Sequence, residues 1–322
     1  MKIHLARSAI ALLACALCAD VAGQAYPAKA IRWVVPYPPG GSTDTIVRTV
    51  GQKLGEAWSV QVVIDNRPGA SGMIGTDTVA KSAPDGYTVV SVASSHVLQP
   101  SLYRQVPFNT INDFTQIIML VRSPNFICVH PSLPVRSIRE LIALARARPG
   151  TLGFGIGGLG SSNHLAGEMF KTLAKIDITP IPYKGSAPAA IDAIGGQIPM
   201  LIQTITSAGP YVKSGRLRAL AVTSQKRYAG FADVPTLDES GFPGFDSSEW
   251  WGLLGPAGIP RDVVTRLNAQ IDRIMNLADV QARFAEIGTS YIGGTPEQAG
   301  AYFRSEMVKW AKVAKAAGLK PE

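Results

Sequence analysis

Three short stretches carry residue types whose spacing can do chemistry. In Pro39-Gly40-Gly41-Ser42-Thr43-Asp44, two glycines stand between a strand-like segment and a helix start. Glycine lets a ligand approach the main chain closely. The first turn of a helix offers unpaired N–H groups and a partial positive charge. Together these hold an anion without a cationic side chain. The alternative is an ordinary loop in which Ser42 or Thr43 caps the helix. The run Gly155-Ile156-Gly157-Gly158-Leu159-Gly160-Ser161-Ser162-Asn163-His164 repeats the arrangement and can supply a second anion-binding terminus. The third stretch, Ser94-Ser95-His96, has the types of a nucleophile and its base.

Other chemistries fail on spacing. Around Ser94 there is no G-x-S-x-G elbow and no assignable acid, so these residues read as polar groups that bond a ligand or a strand end. Gly153, Gly155 and Gly158 match G-x-G-x-x-G by letter. They lie late in the chain, and Asp177 is the only acid near the position a dinucleotide fold requires. No cofactor is expected. His130 and His164 lack metal-ligand spacing, and no metal site is expected. Cys128 is the single cysteine after residue 25, within Phe126-Ile127-Cys128-Val129, and reads as a small buried strand residue.

The elements that position these stretches follow from periodicity. Ile31 to Val35 is a strand, and Ile46, Val50 and Leu54 repeat at helical spacing behind the first loop. Val60 to Ile64, a helix from Ser71 to about Lys81, and the strand Tyr87 to Val92 continue an alternating rhythm. A parallel sheet with helices on its faces is the architecture this implies. The rhythm returns in the strand Phe126 to Val129, the helix Ser137 to Ala147, the strand Thr151 to Gly155, a helix from about Asn163, Ile178 to Tyr183, a short helix from Ala187, Met200 to Gln203 and Leu217 to Val222. Pro180 and Pro182 restrict Ile178 to Tyr183 to a sheet edge. Helices near Arg261 to Leu277 and Pro296 to Ala317 close the chain. The fold class is therefore α/β, with two similar lobes and a last segment that returns to the first. Trp250-Trp251 reads as core aromatic, or as part of a segment crossing between lobes.

Residues 1–25 read as a secretion signal: Lys2, His4 and Arg7, an uncharged run Ser8 to Cys18, and a small-x-small end at Gly23-Gln24-Ala25. That run is shorter than the ~20 residues that span a bilayer. Without Lys2, Arg7 and Asp20 the 31 basic and 23 acidic residues become 29 and 22. They are spread along the chain with no basic run, so no nucleic-acid partner is expected.

Eight motifs in order carry a resemblance. Tyr26-Pro27, Val35-Pro36-Tyr37-Pro38-Pro39-Gly40-Gly41-Ser42-Thr43-Asp44, Asn66-Arg67-Pro68-Gly69-Ala70 and Asp85-Gly86-Tyr87-Thr88 come first. Pro182-Tyr183-Lys184-Gly185, Gly195-Gly196-Gln197, Leu220-Ala221-Val222-Thr223 and Val234-Pro235-Thr236-Leu237 follow. The series resembles the Bug, or TctC-like, substrate-binding proteins of tripartite tricarboxylate transporters, over the whole chain after residue 25. The resemblance implies a type II-like periplasmic binding fold and a periplasmic monomer. Its first lobe is 26–122 with 250–322 and its second 126–249, with crossings near Ser123 to Val129 and Trp250 to Gly255. It implies a small organic acid held between the lobes and membrane transporter subunits as partners. The ligand positions it carries over are Tyr37, Gly41, Ser42, Thr43 and Asp44, with Ala70, Ser71, Ser94 and His96 adjacent, facing Gly158, Ser161 and Ser162. Gln203 stands where members often have an acid, and Pro199 departs from the pattern; with no acid evident opposite the helix termini except Asp44, an acid lacking an amino group is the expected ligand. The alternatives are a ligand sensor for a membrane kinase and an envelope hydrolase using Ser94 or Ser161.

Overall fold

The computed structural model describes residues 26–158, 160–183, 185–316, 318 and 321. The expected secretion signal lies outside them. The first elements are β1 (Ile31–Val35), α1 (Ser42–Trp58), β2 (Val62–Asn66), α2 (Met73–Ala80), β3 (Thr88–Ala93), α3 (Ser95–Leu102) and β4 (Phe114–Val129). Next come α4 (Ile138–Ala147), β5 (Leu152–Ile156), α5 (Ser162–Ala174), β6 (Ile178–Pro182), α6 (Ser186–Ile194), β7 (Met200–Thr204), α7 (Ile205–Lys213) and β8 (Arg218–Val222). The chain ends in β9 (Ser248–Pro256), α8 (Arg261–Met275), α9 (Ala278–Glu286), β10 (Ser290–Gly293) and α10 (Pro296–Ala316).

The strands form one path, β2-β1-β3-β9-β4-β7-β5-β6, with β8 and β10 also pairing to β4. β1 pairs in parallel with β2 and β3, and β5 with β6 and β7. The sheet is nevertheless mixed, because β4 and β9 run antiparallel to each other and to their other neighbours. β4 is the shared strand: Phe114 to Pro124 pairs with β9, and Asn125 to Val129 with β7 and β8. The chain crosses back at Ser247, whose N–H donates to Thr223 O and whose carbonyl accepts from Asn125 Nδ2 at 3.1 Å. Trp250 to Gly255, near which a crossing is expected, follow directly after it. Those residues lie inside β9, where Gly252 to Leu254 pair with both β3 and β4, Trp251 with β3, and Trp250 and Gly255 with β4. β6, with its two prolines, is an edge strand as the sequence requires.

Each half of the sheet is covered on both faces, so its strands are apolar almost throughout. In β1, Ile31, Trp33 and Val35 enter one core with Ile46, Val50 and Leu54 of α1, while Val34 enters the opposite core with Phe303 and Trp310 of α10. The other half has two cores of its own, around Phe154 and Phe170 and around Phe126 and Leu201. Cys128 is buried in the last of these, and burial pushes its thiol pKa up. α3 and α7 form despite Pro100 and Pro210. Each proline removes one helical hydrogen bond, and packing of Val97, Leu98, Ile205 and Ala208 into the cores outweighs that loss.

Candidate functional site

Between the two halves lies a cleft of about 850 Å³. The first turns of α1, α3, α5, α6 and α7 all contribute to its lining. Among its described lining residues there is no Lys, Arg or His. Positive potential therefore comes from main-chain N–H groups, which helix geometry leaves unpaired in each first turn.

The α1 loop is held by its own carboxylate. Gly40 (φ +79) makes the turn, and its N–H donates to Asp44 Oδ2 at 2.9 Å. Arg48 Nε donates to the same oxygen at 2.8 Å, and Asn66 Nδ2 to Oδ1 at 2.9 Å. Burial alone would raise the Asp44 pKa, but the bonds from Arg48, Gly40 and Asn66 outweigh it and hold the carboxyl below its ordinary range. Asp44 is thus corrected from a ligand contact to the clamp of the loop. Gly41, Ser42, Thr43 and Tyr37 do line the cleft. Thr43 Oγ1 accepts from Trp251 Nε1 at 2.8 Å, which leaves its own proton free to donate.

Gly158, Ser161 and Ser162 line the cleft from the second half, and Ser71 lines it from the first. Ser161 caps α5 by accepting from His164 N–H, and its hydroxyl donates to Gly158 O at 2.6 Å. Ser71 is left-handed (φ 54) and its hydroxyl bonds that of Tyr103 at 2.7 Å.

Besides Asp44, four expected residues are not part of the lining. His96 is corrected to a core residue: it is 1% exposed, stacks on Phe108 and bonds Thr110 O through Nε2 at 2.9 Å. Its neighbour Ser95 faces the cleft, because adjacent helical residues point ~100° apart. Gln203 is fully buried and gives its amide to Ser186 O at 2.9 Å, propping the start of α6 from behind. Ala70 (φ 45) shapes the bend beside Ser71 without reaching the cleft. Ser94 is buried beneath it, and its N–H and Oγ donate to Glu249 Oε1 at 3.0 and 2.6 Å.

Glu249 is the residue that sequence reasoning missed. It lines the cleft at the start of β9, and its Oε2 accepts from Ser162 Oγ. Burial raises its pKa, while the bonds from Ser162 and Ser94 pull the other way. The expectation of an amino-free ligand rested on there being no acid opposite the helix termini, and Glu249 removes that basis. The one available signal was an acid flanking an otherwise apolar strand, which must find partners. Gln99, Tyr103, Ser186, Thr206, Tyr211 and Trp251 also line the cleft unforeseen.

The family model of the tripartite tricarboxylate transporter family receptor, TctC, matches residues 46–319. Protein BugT of Bordetella pertussis is 37% identical over 306 residues, 94% of each chain. The solved structure of R. palustris Rpa4515 with adipate is 36% identical with a TM-score of 0.85, covering 92% of this chain and 100% of that one. MatC of Rhodopseudomonas palustris with bound malate is 27% identical with a TM-score of 0.79, covering 89% and 99%. With its α/β halves, its cleft between them and this match, the chain belongs to the TctC family of tripartite tricarboxylate transporter receptors, which are periplasmic solute-binding proteins.

Proposed function

We propose that this chain captures a small organic carboxylate between two lobes in the periplasm and delivers it, as a monomer and without catalysis, to membrane transporter subunits. The lobes are the sheet half built on β1, β3 and β9 and the half built on β5 and β7. The observation that carries the reading is the convergence of five helix N-termini on a cleft whose described lining has no cationic side chain. Such a site takes a carboxylate through main-chain amides. Similarity to the proteins solved with adipate and with malate supports it. The hydrolase alternative lacks support, since Ser94 Oγ donates to Glu249 and the one proton of Ser161 Oγ is directed at Gly158 O or Asn163 Oδ1 and not at a base.

A thermal-shift screen of mono-, di- and tricarboxylates tests the class. A true ligand at about 100 times its Kd adds about 2.7 kcal/mol of stability, a rise of roughly 5 °C. No shift with any carboxylate, against a shift with a neutral solute, overturns the reading.

The α1 terminus has a separate test. Gly41 is extended (φ −79, ψ 175), and a Cβ there meets only Pro38 O at 3.6 Å. Positive φ, which a glycine in this loop can supply, is needed at Gly40 and not at Gly41. Gly41→Val is therefore expected to fold with a near-normal melting temperature. Its isopropyl group covers the α1 amides, and affinity is expected to drop roughly a hundredfold, about 2.7 kcal/mol. Calorimetry showing retained affinity in a folded variant would move the anion site elsewhere.

A further inference from the structure

We propose that Glu249 is the specificity-determining residue of the cleft, and that the preferred ligand is a carboxylate that also carries a hydrogen-bond donor, a hydroxyl or an ammonium group, on its chain. This rests on the carboxylate reading above. A hydroxyl has one proton and two lone pairs. Ser162 spends its proton on Glu249 Oε2, and Ser94 spends its own on Oε1, where the Ser94 N–H also arrives. What Ser162 presents to the cleft is therefore lone pairs, backed by a carboxylate. Gln99, on the same lining, gives its amide to Ser71 O at 3.0 Å and leaves Oε1 buried without a donor. The side chains of Ser162 and Gln99 thus turn acceptors to the cleft, beside the first-turn amides of α5.

The α1 side is the reverse. The amides of Ser42 and Thr43 are in the first helical turn, and the Thr43 hydroxyl proton is free because its oxygen takes the Trp251 indole N–H. The side-chain hydrogen bonding is therefore polarised, with a free hydroxyl proton at Thr43 and lone pairs at Ser162 and Gln99. A ligand carboxylate belongs at the first. A second anionic oxygen beside the Glu249 carboxylate meets like charge, whereas a hydroxyl or ammonium hydrogen can reach the Ser162 lone pairs or the Gln99 Oε1 that is left buried without a donor.

The test is calorimetry at neutral pH on two matched series, succinate with malate and aspartate, and benzoate with mandelate and phenylglycine. In whichever series binds, a hydroxy or amino member is expected to bind at least about tenfold more tightly than the bare acid, the low end of what a hydrogen bond to a charged group supplies. Glu249→Gln is expected to bring the two within about threefold, by weakening the substituted ligand. If Glu249→Gln does not fold, Ser162→Ala takes its place: it removes the hydroxyl that faces the donor but keeps the charge, and the preference is expected to shrink several-fold. A bare acid that binds as tightly as its substituted partner, or a preference unchanged in the folded variant, overturns the role of Glu249 while leaving the carboxylate reading intact. If no member of either series binds at millimolar concentration, the role of Glu249 falls, and the carboxylate reading is decided by the wider thermal-shift screen.

Discussion

As pH falls from 6.5 towards 4, the folded protein is expected to lose about 3 kcal/mol of stability through His96 alone. Burial, only partly offset by the bond to Thr110 O, lowers its pKa from 6.5 to about 4. The Thr110 carbonyl can only accept, so the proton sits on Nε2 and Nδ1 is bare. A second proton would be buried among Phe108, Phe114 and Phe303 with no acceptor. The unfolded chain takes up that proton near pH 6.5 and the folded chain does not until about pH 4. The contribution is therefore complete above the unfolded value and disappears as pH falls through this window. His164 has the same sign: burial, with Lys171 nearby, lowers it to about 4. Burial raises Glu168, Glu249 and Asp246, which act in the opposite direction. Asp44 is held low and matters only below its ordinary value of 3.8. The measurement is accordingly a difference. Urea denaturation of wild type and His96→Phe across the window should show the variant less stable at neutral pH, through the orphaned Thr110 carbonyl, but with a shallower acid slope. Parallel slopes would mean that His96 already titrates in the folded state.

Trp250→Ala is expected to cost more than any change in the cleft. The indole is fully buried and meets Tyr302 and Phe303 edge-on, at centroid distances of 5.7 and 4.9 Å. Its Nε1 donates to Glu306 Oε2 at 2.9 Å, an oxygen that also accepts Trp310 Nε1 at 2.8 Å, while Lys309 Nζ bonds Oε1. Emptying such a site costs about 3–5 kcal/mol. Removing one donor from a buried carboxylate adds about 1–3 kcal/mol. Trp250→Phe keeps much of the volume and loses the donor, so it should fall well short of the alanine variant. Chemical denaturation at neutral pH reads both. A loss below about 1 kcal/mol for Trp250→Ala would show that α10 and β9 repack freely around the gap.

What the sequence determined is what short-range geometry determines. A strand, two glycines and a hydroxyl residue before a period-3.6 apolar run specify the β1–α1 loop locally, and the same logic finds Gly158, Ser161 and Ser162. Pro180 and Pro182 place β6 at an edge because a missing N–H cannot serve two neighbours. Tertiary structure decided everything that depends on direction and on distant pairing. Ser95 and His96 are adjacent letters, yet α3 turns one to the cleft and the other to the core. Trp250 and Trp251 alternate across β9 into opposite cores. Glu249 meets Ser94 and Ser162 across 155 and 87 residues of chain. No local periodicity encodes that meeting, because it exists only once β9 has crossed back from the second half of the sheet to pair between β3 and β4.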